Sequence, residues 1–212
     1  MRYLWLILPI FFTLTGCQSA YYSAMEKVGV HKRDILVDRV EEAQQSQQEA
    51  QQQFKSALEQ FSSLIKFDGG DLQRMYEATD SEFQACSKAA AEVSGRIDSI
   101  ESVADALFDE WQDELELYSN DKLKRDSARK LAATKRQYTS LLKTMRRAED
   151  SMQPVLASLQ DNTLYLKHNL NAKAIGALKG EFNSIQKDIN RLIAEMNTAI
   201  KQSEQFVAAL KQ

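Results

Sequence analysis

The sequence predicts an all-α protein, an elongated antiparallel helical bundle or coiled coil of about four long helices. Three observations predict it. Apolar residues recur at alternating three- and four-residue steps over long stretches. Only seven glycines and two prolines occur in 212 residues, so turns are few and elements long. No stretch shows the period-two alternation of a half-buried strand.

The first helical seam runs Leu36, Val40, Ala43, Gln47, Ala50, Phe54, Ala57, Phe61, Leu64. Gln47 is its one polar member. Gln44, Gln45, Gln47, Gln48, Gln51, Gln52 and Gln53 form a glutamine-rich patch that reads as the solvated face of the same helix. The second seam runs from Leu72 through Thr79, Phe83, Cys86, Val93, Ile97, Ile100, Leu107 and Trp111 to Tyr118. The third runs from Leu131 through Tyr138, Leu141, Met145, Met152 and Val155 to Leu166, with Pro154 inside it. A proline there removes one hydrogen bond and crowds the preceding turn, so a kink is expected in preference to a stop. The fourth runs from Ile175 through Leu178, Phe182, Ile185, Leu192 and Met196 to Leu210.

The breaks agree with this division. Asp68-Gly69-Gly70-Asp71 ends the first helix, with glycine for a left-handed cap and Asp71 to cap the next helix. Ser119-Asn120-Asp121 separates the second from the third. The stretch 169–180, with two glycines, joins the third to the fourth. Short connections make neighbours antiparallel. Helices of about 40 to 50 residues give a rod about 60 to 75 Å long.

Residues 1–16 stand outside the bundle. Arg2 precedes an apolar run from Tyr3 to Leu14. At ~1.5 Å per residue the run covers about 18 Å, short of the ~30 Å of a bilayer core. It reads as the hydrophobic region of a signal peptide. Leu14-Thr15-Gly16-Cys17 resembles the bacterial lipobox at all four positions. The resemblance implies lipid transfer to the Cys17 sulfur, cleavage before Cys17, and acylation of the new amino terminus. In Gram-negative lipoproteins an aspartate after the cysteine resembles an inner-membrane retention signal. Gln18 lacks that feature and so implies sorting to the outer membrane, on the periplasmic face. Two or three acyl chains anchor stably where one holds marginally. The expected organisation is therefore a signal peptide at 1–16, a lipidated terminus and short tether at 17–22, and a helical bundle domain at 23–212. Tyr21 and Tyr22 can sit at the headgroups or pack on the start of the first helix. Cys86, without a partner if Cys17 carries lipid, should be buried, since an exposed odd thiol is a liability in an oxidising compartment.

Charge is segregated along the chain. Nine acids and no Lys or Arg lie between Asp98 and Asp121, whereas ten bases and one acid, Asp126, lie between Lys122 and Arg147. Folding the chain back at 119–121 sets Glu116 near Lys124, Asp109 near Lys130, Asp105 near Arg136, and Glu101 within reach of Lys143. That is an internal salt-bridge ladder. The alternative is that Lys122, Lys124, Arg125, Arg129, Arg136 and Arg147 contact an anion or a membrane surface. The net charge of −3 and the export signal argue against nucleic acid as a partner.

Catalytic signatures are absent. The chain has no GxxxxGK[ST], GxSxG, HExxH or CxxC. His31 and His168 fall at opposite ends of the rod and cannot share a metal. No catalytic residue, metal site or cofactor is expected, and the protein reads as a non-enzyme.

The segments YYSAMEKVGVHKRDILVDRV (21–40) and LYLKHNLNAKAI (164–175) resemble a group of Gram-negative lipoproteins catalogued as domain of unknown function 2959. The resemblance spans nearly the whole mature chain. It implies a helical, coiled-coil envelope lipoprotein and carries no catalytic residues. The expected function is a membrane-anchored structural scaffold or adaptor for an envelope protein, with self-association open to it. The alternative is a binder of an envelope polyanion or lipid through the basic helix face.

Overall fold

The computed structural model describes residues 22, 25, 29–67 and 69–211. The signal segment, Cys17, Gln18, Tyr21 and Asp68 lie outside the described residues. Five α-helices follow in order: α1 (Lys32–Ile65), α2 (Leu72–Glu114), α3 (Asp121–Asp150), α4 (Met152–His168) and α5 (Ala172–Leu210), with a 3-10 turn at Leu115–Leu117 closing α2. α3 and α4 are two halves of one leg, so the fold is a four-legged bundle. α1 packs on α2 and α5, and each of these also packs on the α3–α4 leg. α1 and α3–α4 therefore stand diagonally.

Cross-helix bonds give the directions. Lys32 at the start of α1 meets Glu110 near the end of α2, and Gln53 meets Glu82 farther along. Gln44 reaches Glu204 and Gln51 reaches Asn197 on α5. Trp111 bonds Ser127 while Arg146 bonds Asp98 across α2 and α3. Every neighbouring pair is antiparallel, as short connections require.

The seams are the core. Leu36, Val40, Phe54 and Leu64 of α1, Cys86, Ile97 and Ile100 of α2, Met145 and Met152 of the third leg, and Ile189, Leu192 and Met196 of α5 are completely buried. Each large aliphatic or aromatic side chain removed from water contributes about 1.5–3 kcal/mol. The second seam stops short of its expected end: Leu115 is buried, but Tyr118 is 40% exposed, beyond the reach of the other legs.

Three details differ from the sequence-based expectation. The third leg is interrupted at Ser151, three residues before Pro154. Pro154 has no N–H and its ring would crowd the Asp150 carbonyl, so the helix opens one turn earlier and restarts with proline in its first turn, where no donor is needed. Ser151 Oγ donates to the Ala148 carbonyl at 2.7 Å, and its N–H bonds the Arg147 carbonyl, so the leg continues on nearly the same course. The connection into the last leg is only Asn169–Asn171. Gly176 and Gly180 lie inside α5, where an added Cβ would meet nothing within 4 Å. Burial of Ala174, Ile175 and Leu178 outweighs the ~1 kcal/mol that a helical glycine costs. Finally, α1 ends at Lys66 in right-handed geometry. Gly69 and Gly70, at φ 156° and 129°, turn the chain beyond that end and do not cap it.

Side chains cap three helix starts, at Asp71 as expected and also at Asn120 and Asn171. Asp71 accepts from the Arg74 N–H at 3.2 Å. Asn120 accepts from the Lys122 and Leu123 N–H groups, and Asn171 from those of Lys173 and Ala174. His31 occupies the N-cap position of α1 without a side-chain capping bond, and His168 is the exposed last residue of α4.

Tyr22 is buried, and its hydroxyl shares a 3.0 Å hydrogen bond with Ser102 Oγ of α2. Tyr22 is therefore seated against α2, and Gly29, with φ +86°, precedes α1.

Two buried groups stand out. Gln47 and Gln51, expected on the solvated face of α1, are buried instead, because they fall on the sides of the helix that the seam and α5 cover. Gln47 is fully buried and neither amide atom has a hydrogen-bond partner among the described residues. Gln51, by contrast, reaches the Ile193 carbonyl and Asn197 Oδ1. A buried unsatisfied polar group costs about 1–3 kcal/mol, so Gln47→Met, which keeps the volume, is expected to raise stability by ~1 kcal/mol or more in urea titration. Reduced stability would reveal partners for the amide. Burial, with the nearby Glu82 carboxylate, pushes the Cys86 thiol up to about 12, against a weak opposing bond to Gln53. The folded protein should thus resist thiol labelling at pH 8 and label fully in denaturant, read by mass.

Candidate interaction surface: the α2–α3 hairpin face

α2 and α3 form a hairpin along which most of the segregated charge lies. Helical period explains the arrangement. Asp98, Glu101, Asp105 and Asp109 step by three and four residues along α2. Lys122, Arg129, Arg136 and Lys143 step by seven along α3, with Arg125 and Arg147 beside them. Both sets therefore line stripes parallel to the helix axes.

The ladder expected across this hairpin forms only in part. Lys124 Nζ lies 2.9 Å from Glu116, as expected. Lys130 turns to Asp126 on its own helix, not to Asp109. Glu101 pairs with Arg146, not with Lys143. Asp105 and Arg136 do not pair within 4 Å. The reason is angular. The apolar seams turn Leu131, Tyr138, Leu141 and Met145 inward, which leaves the seven-residue basic row on the opposite, solvent side of α3.

Arg146 is the junction between the two helices. It bonds Asp98, Glu101 and Glu149, and Glu149 also takes the Ser94 hydroxyl. Burial pulls its pKa down, but bonds from Glu149, Asp98 and Glu101 outweigh this and hold it above the ordinary range. Lys135 covers the Phe108 ring, 5.6 Å from its centre, and Tyr138 meets Phe108 edge-on at 5.3 Å. Burial, then Asp105 and Glu101, push the Tyr138 hydroxyl upward. Trp111, half-buried, donates to Ser127 Oγ at 2.8 Å.

The expected anion-contact residues thus divide. Lys124 is paired across the hairpin, Arg129 with Asp126 of its own helix, and Arg147 loosely with Glu195 of α5 at 4.0 Å. Lys122, Arg125 and Arg136 have no ion-pair partner among the described residues, nor does Lys143, and all four are exposed. Opposite them, Asp105 and Asp109 are exposed and likewise unpaired. Partial burial, then Asp109 and Glu101, raise the Asp105 carboxyl above the ordinary carboxylate range. Neighbouring carboxylates raise one another's pKa in this way.

The hairpin tip is apolar: Leu117 is 82% exposed and Leu123 54%. The opposite end carries exposed Leu164, Tyr165 and Leu170, beside open grooves lined by Tyr76, Phe83 and Lys167 on one side and by Leu178 and Glu181 on the other. Thr163 Oγ1 in the first groove is buried without a partner. Sequence reasoning missed these end patches, because seam periodicity does not show where neighbouring legs stop. Among the described residues no cluster of His, Cys, Asp or Glu could hold a metal ion, and no helix is long and apolar enough to cross a membrane.

Comparison with family models places residues 21–210 in a single match, described as protein of unknown function DUF2959. The chain belongs to the DUF2959 family. No curated protein and no solved structure matches it. The match covers all five helices and reaches back to the tyrosine pair, so the DUF2959 unit includes Tyr22.

Arg146→Ala strands three carboxylates at the helix junction. It should cost about 1–3 kcal/mol, whereas the exposed, unpaired Lys122→Ala should leave the thermal midpoint in place, both measured by circular dichroism.

Proposed function

We propose that this protein is an outer-membrane-anchored periplasmic lipoprotein that serves as a non-enzymatic scaffold or adaptor for envelope proteins. Leu14-Thr15-Gly16-Cys17, placed directly behind an apolar run, carries this reading. Acyl chains on Cys17 fix the chain to the membrane, and the bundle supplies rigid helical surface.

The geometry supports a particular posture. Tyr22 lies level with Ser102, roughly 20 Å from the hairpin tip at ~1.5 Å per residue. The five residues from Cys17 to Tyr22 span at most ~18 Å. An anchor on so short a tether keeps the membrane within ~18 Å of Tyr22, on the half of the bundle that carries Leu117, Tyr118 and Leu123. The end formed by 66–71 and 169–171 faces away, with its exposed Leu164, Tyr165 and Leu170 available to a partner protein.

One observation favours a second reading, a polyanion or lipid headgroup contact through α3: the unpaired Lys122, Arg125, Arg136 and Lys143 share one exposed stripe. Intact-mass analysis of the envelope protein should find residues 1–16 removed and acyl mass on Cys17, and Cys17→Ala should release the protein to the soluble fraction. An unmodified Cys17 ends the anchored reading. In intact cells a scaffold yields discrete crosslinked partners that survive Arg129→Gln, Arg136→Gln and Arg147→Gln. A polyanion binder loses salt-sensitive heparin retention with the same changes.

A further inference from the structure

We propose that the hairpin tip, formed by Leu117, Tyr118 and Leu123, is a second membrane contact, seated in the interfacial layer of the bilayer that holds Cys17. The inference rests on the anchored reading and adds to it the side chains that touch lipid. Among the described residues the exposed large hydrophobic side chains are Leu117, Tyr118 and Leu123 at one end of the bundle and Leu164, Tyr165 and Leu170 at the other. The long flanks between them present polar and charged groups. A bundle lying flat would press those groups against lipid, whereas one standing on an end removes leucine from water.

The tip leucines do no work inside the bundle. Leu115 is buried at the end of the core, and the chain then continues past it, leaving Leu117 82% exposed. Leu123 stands in the first turn of α3, 54% exposed. A hydrophobic staple across the Asn120 cap would use the residue before the cap and the fourth helical residue. Those are Ser119 and Lys124, so the leucines do not serve the cap. Tyr118 lies between them and combines an apolar ring with a hydroxyl, the composition favoured at headgroup level. Lys122 and Arg125 are exposed and have no ion-pair partner among the described residues. Their stems can lie along the same layer with the charges in water. Over residues 113–125 four acids stand against three bases, so apolar contact drives the seating, not attraction to anionic lipid.

Reach decides which end meets the membrane. Tyr22 is bonded to Ser102, about 20 Å along α2 from Leu117. The chain from Cys17 to Tyr22 spans at most ~18 Å. When it runs toward the tip, Cys17 and the tip leucines come to nearly the same depth. Leu164 lies the other way. It shares a groove with Asp80 and Phe83, about 30 Å from Ser102. A bundle standing on that end would hold Tyr22 about 30 Å off the surface, farther than the ~18 Å tether allows.

The test uses the full chain, processed in cells, extracted and reconstituted in vesicles of phosphatidylethanolamine and phosphatidylglycerol, with the mass of Cys17 read first. Ser119→Cys places an environment-sensitive fluorophore at the tip without removing a leucine, and Lys167→Cys places one at the far end. The buried Cys86 stays unlabelled in the folded protein, which the labelled mass checks. Nitroxide-bearing lipid should quench roughly half of the label at 119 and almost none of the label at 167, as an interfacial depth requires. The difference should persist in high salt, which screens charge and leaves apolar contact intact. Leu117→Ser with Leu123→Ser should return the label at 119 to water while the acyl chains keep the protein on the vesicle. Both leucines are exposed, so helicity should not change. An unmodified Cys17 overturns the anchored reading and this inference with it. With acyl mass present, the tip contact alone falls, and the anchor stands, if the label at 119 is unquenched, if quenching is equal at both ends or lost in salt, or if it survives the serine changes. Shielding of position 119 in intact cells but not in vesicles would overturn the lipid contact and assign the tip to a partner protein.

Discussion

The structure depends on the burial of one helix between two others. α1 is the leg whose seam is shared, with α2 on one side and α5 on the other. Its small positions Ala43, Ala50 and Ala57 recur at seven-residue steps and are at most 2% exposed. Phe54 and Phe61 fill the space between them, the latter stacked near Phe182 with ring centres 6.2 Å apart. Small residues let helices approach closely, and large ones alternate with them to fill the layer. Removing this interdigitation would leave α2 and α5 with half of their apolar stripe in water.

Against that background the polar core residues are informative. Gln47 sits inside the seam with no partner among the described residues, which an apolar residue of equal volume would avoid. One buried polar residue in a run of interchangeable alanine and phenylalanine layers penalises shifted pairings, because each shift exposes a different residue to the same cavity. Gln51, one turn on, takes the opposite course and ties α1 to α5 through the Ile193 carbonyl and Asn197.

Charge follows the same division between inside and outside. Where a base falls within reach of the neighbouring helix, as Arg146 does, it gathers several carboxylates and joins legs. Where the seam turns it outward, as with Arg125, Arg136 and Lys143, it stays in water, and Asp105 and Asp109 of α2 form no ion pair among the described residues. Exposed pairs contribute only ~0.2–1 kcal/mol each, so rows of this kind do little for the fold. Their regular spacing bears on what approaches from outside.

Sequence alone determined the helical class, the seams, the burial of Cys86, the antiparallel order and the Asp71 cap. These follow from periodicity and from side chains acting on their own backbone, which are local. It also carried the lipobox match at Leu14–Cys17. Tertiary structure decided the rest. The break at Ser151, the continuation of α5 through Gly176 and Gly180, the seat of Tyr22 on Ser102, and the choice of Arg146 over Lys143 as the partner of Glu101 depend on crossing geometry. A one-dimensional pattern fixes which face of a helix is apolar to within a few tens of degrees. Whether an arginine on the edge of that face meets a carboxylate depends on the remaining rotation and on the legs beside it, and those are properties of the packed bundle.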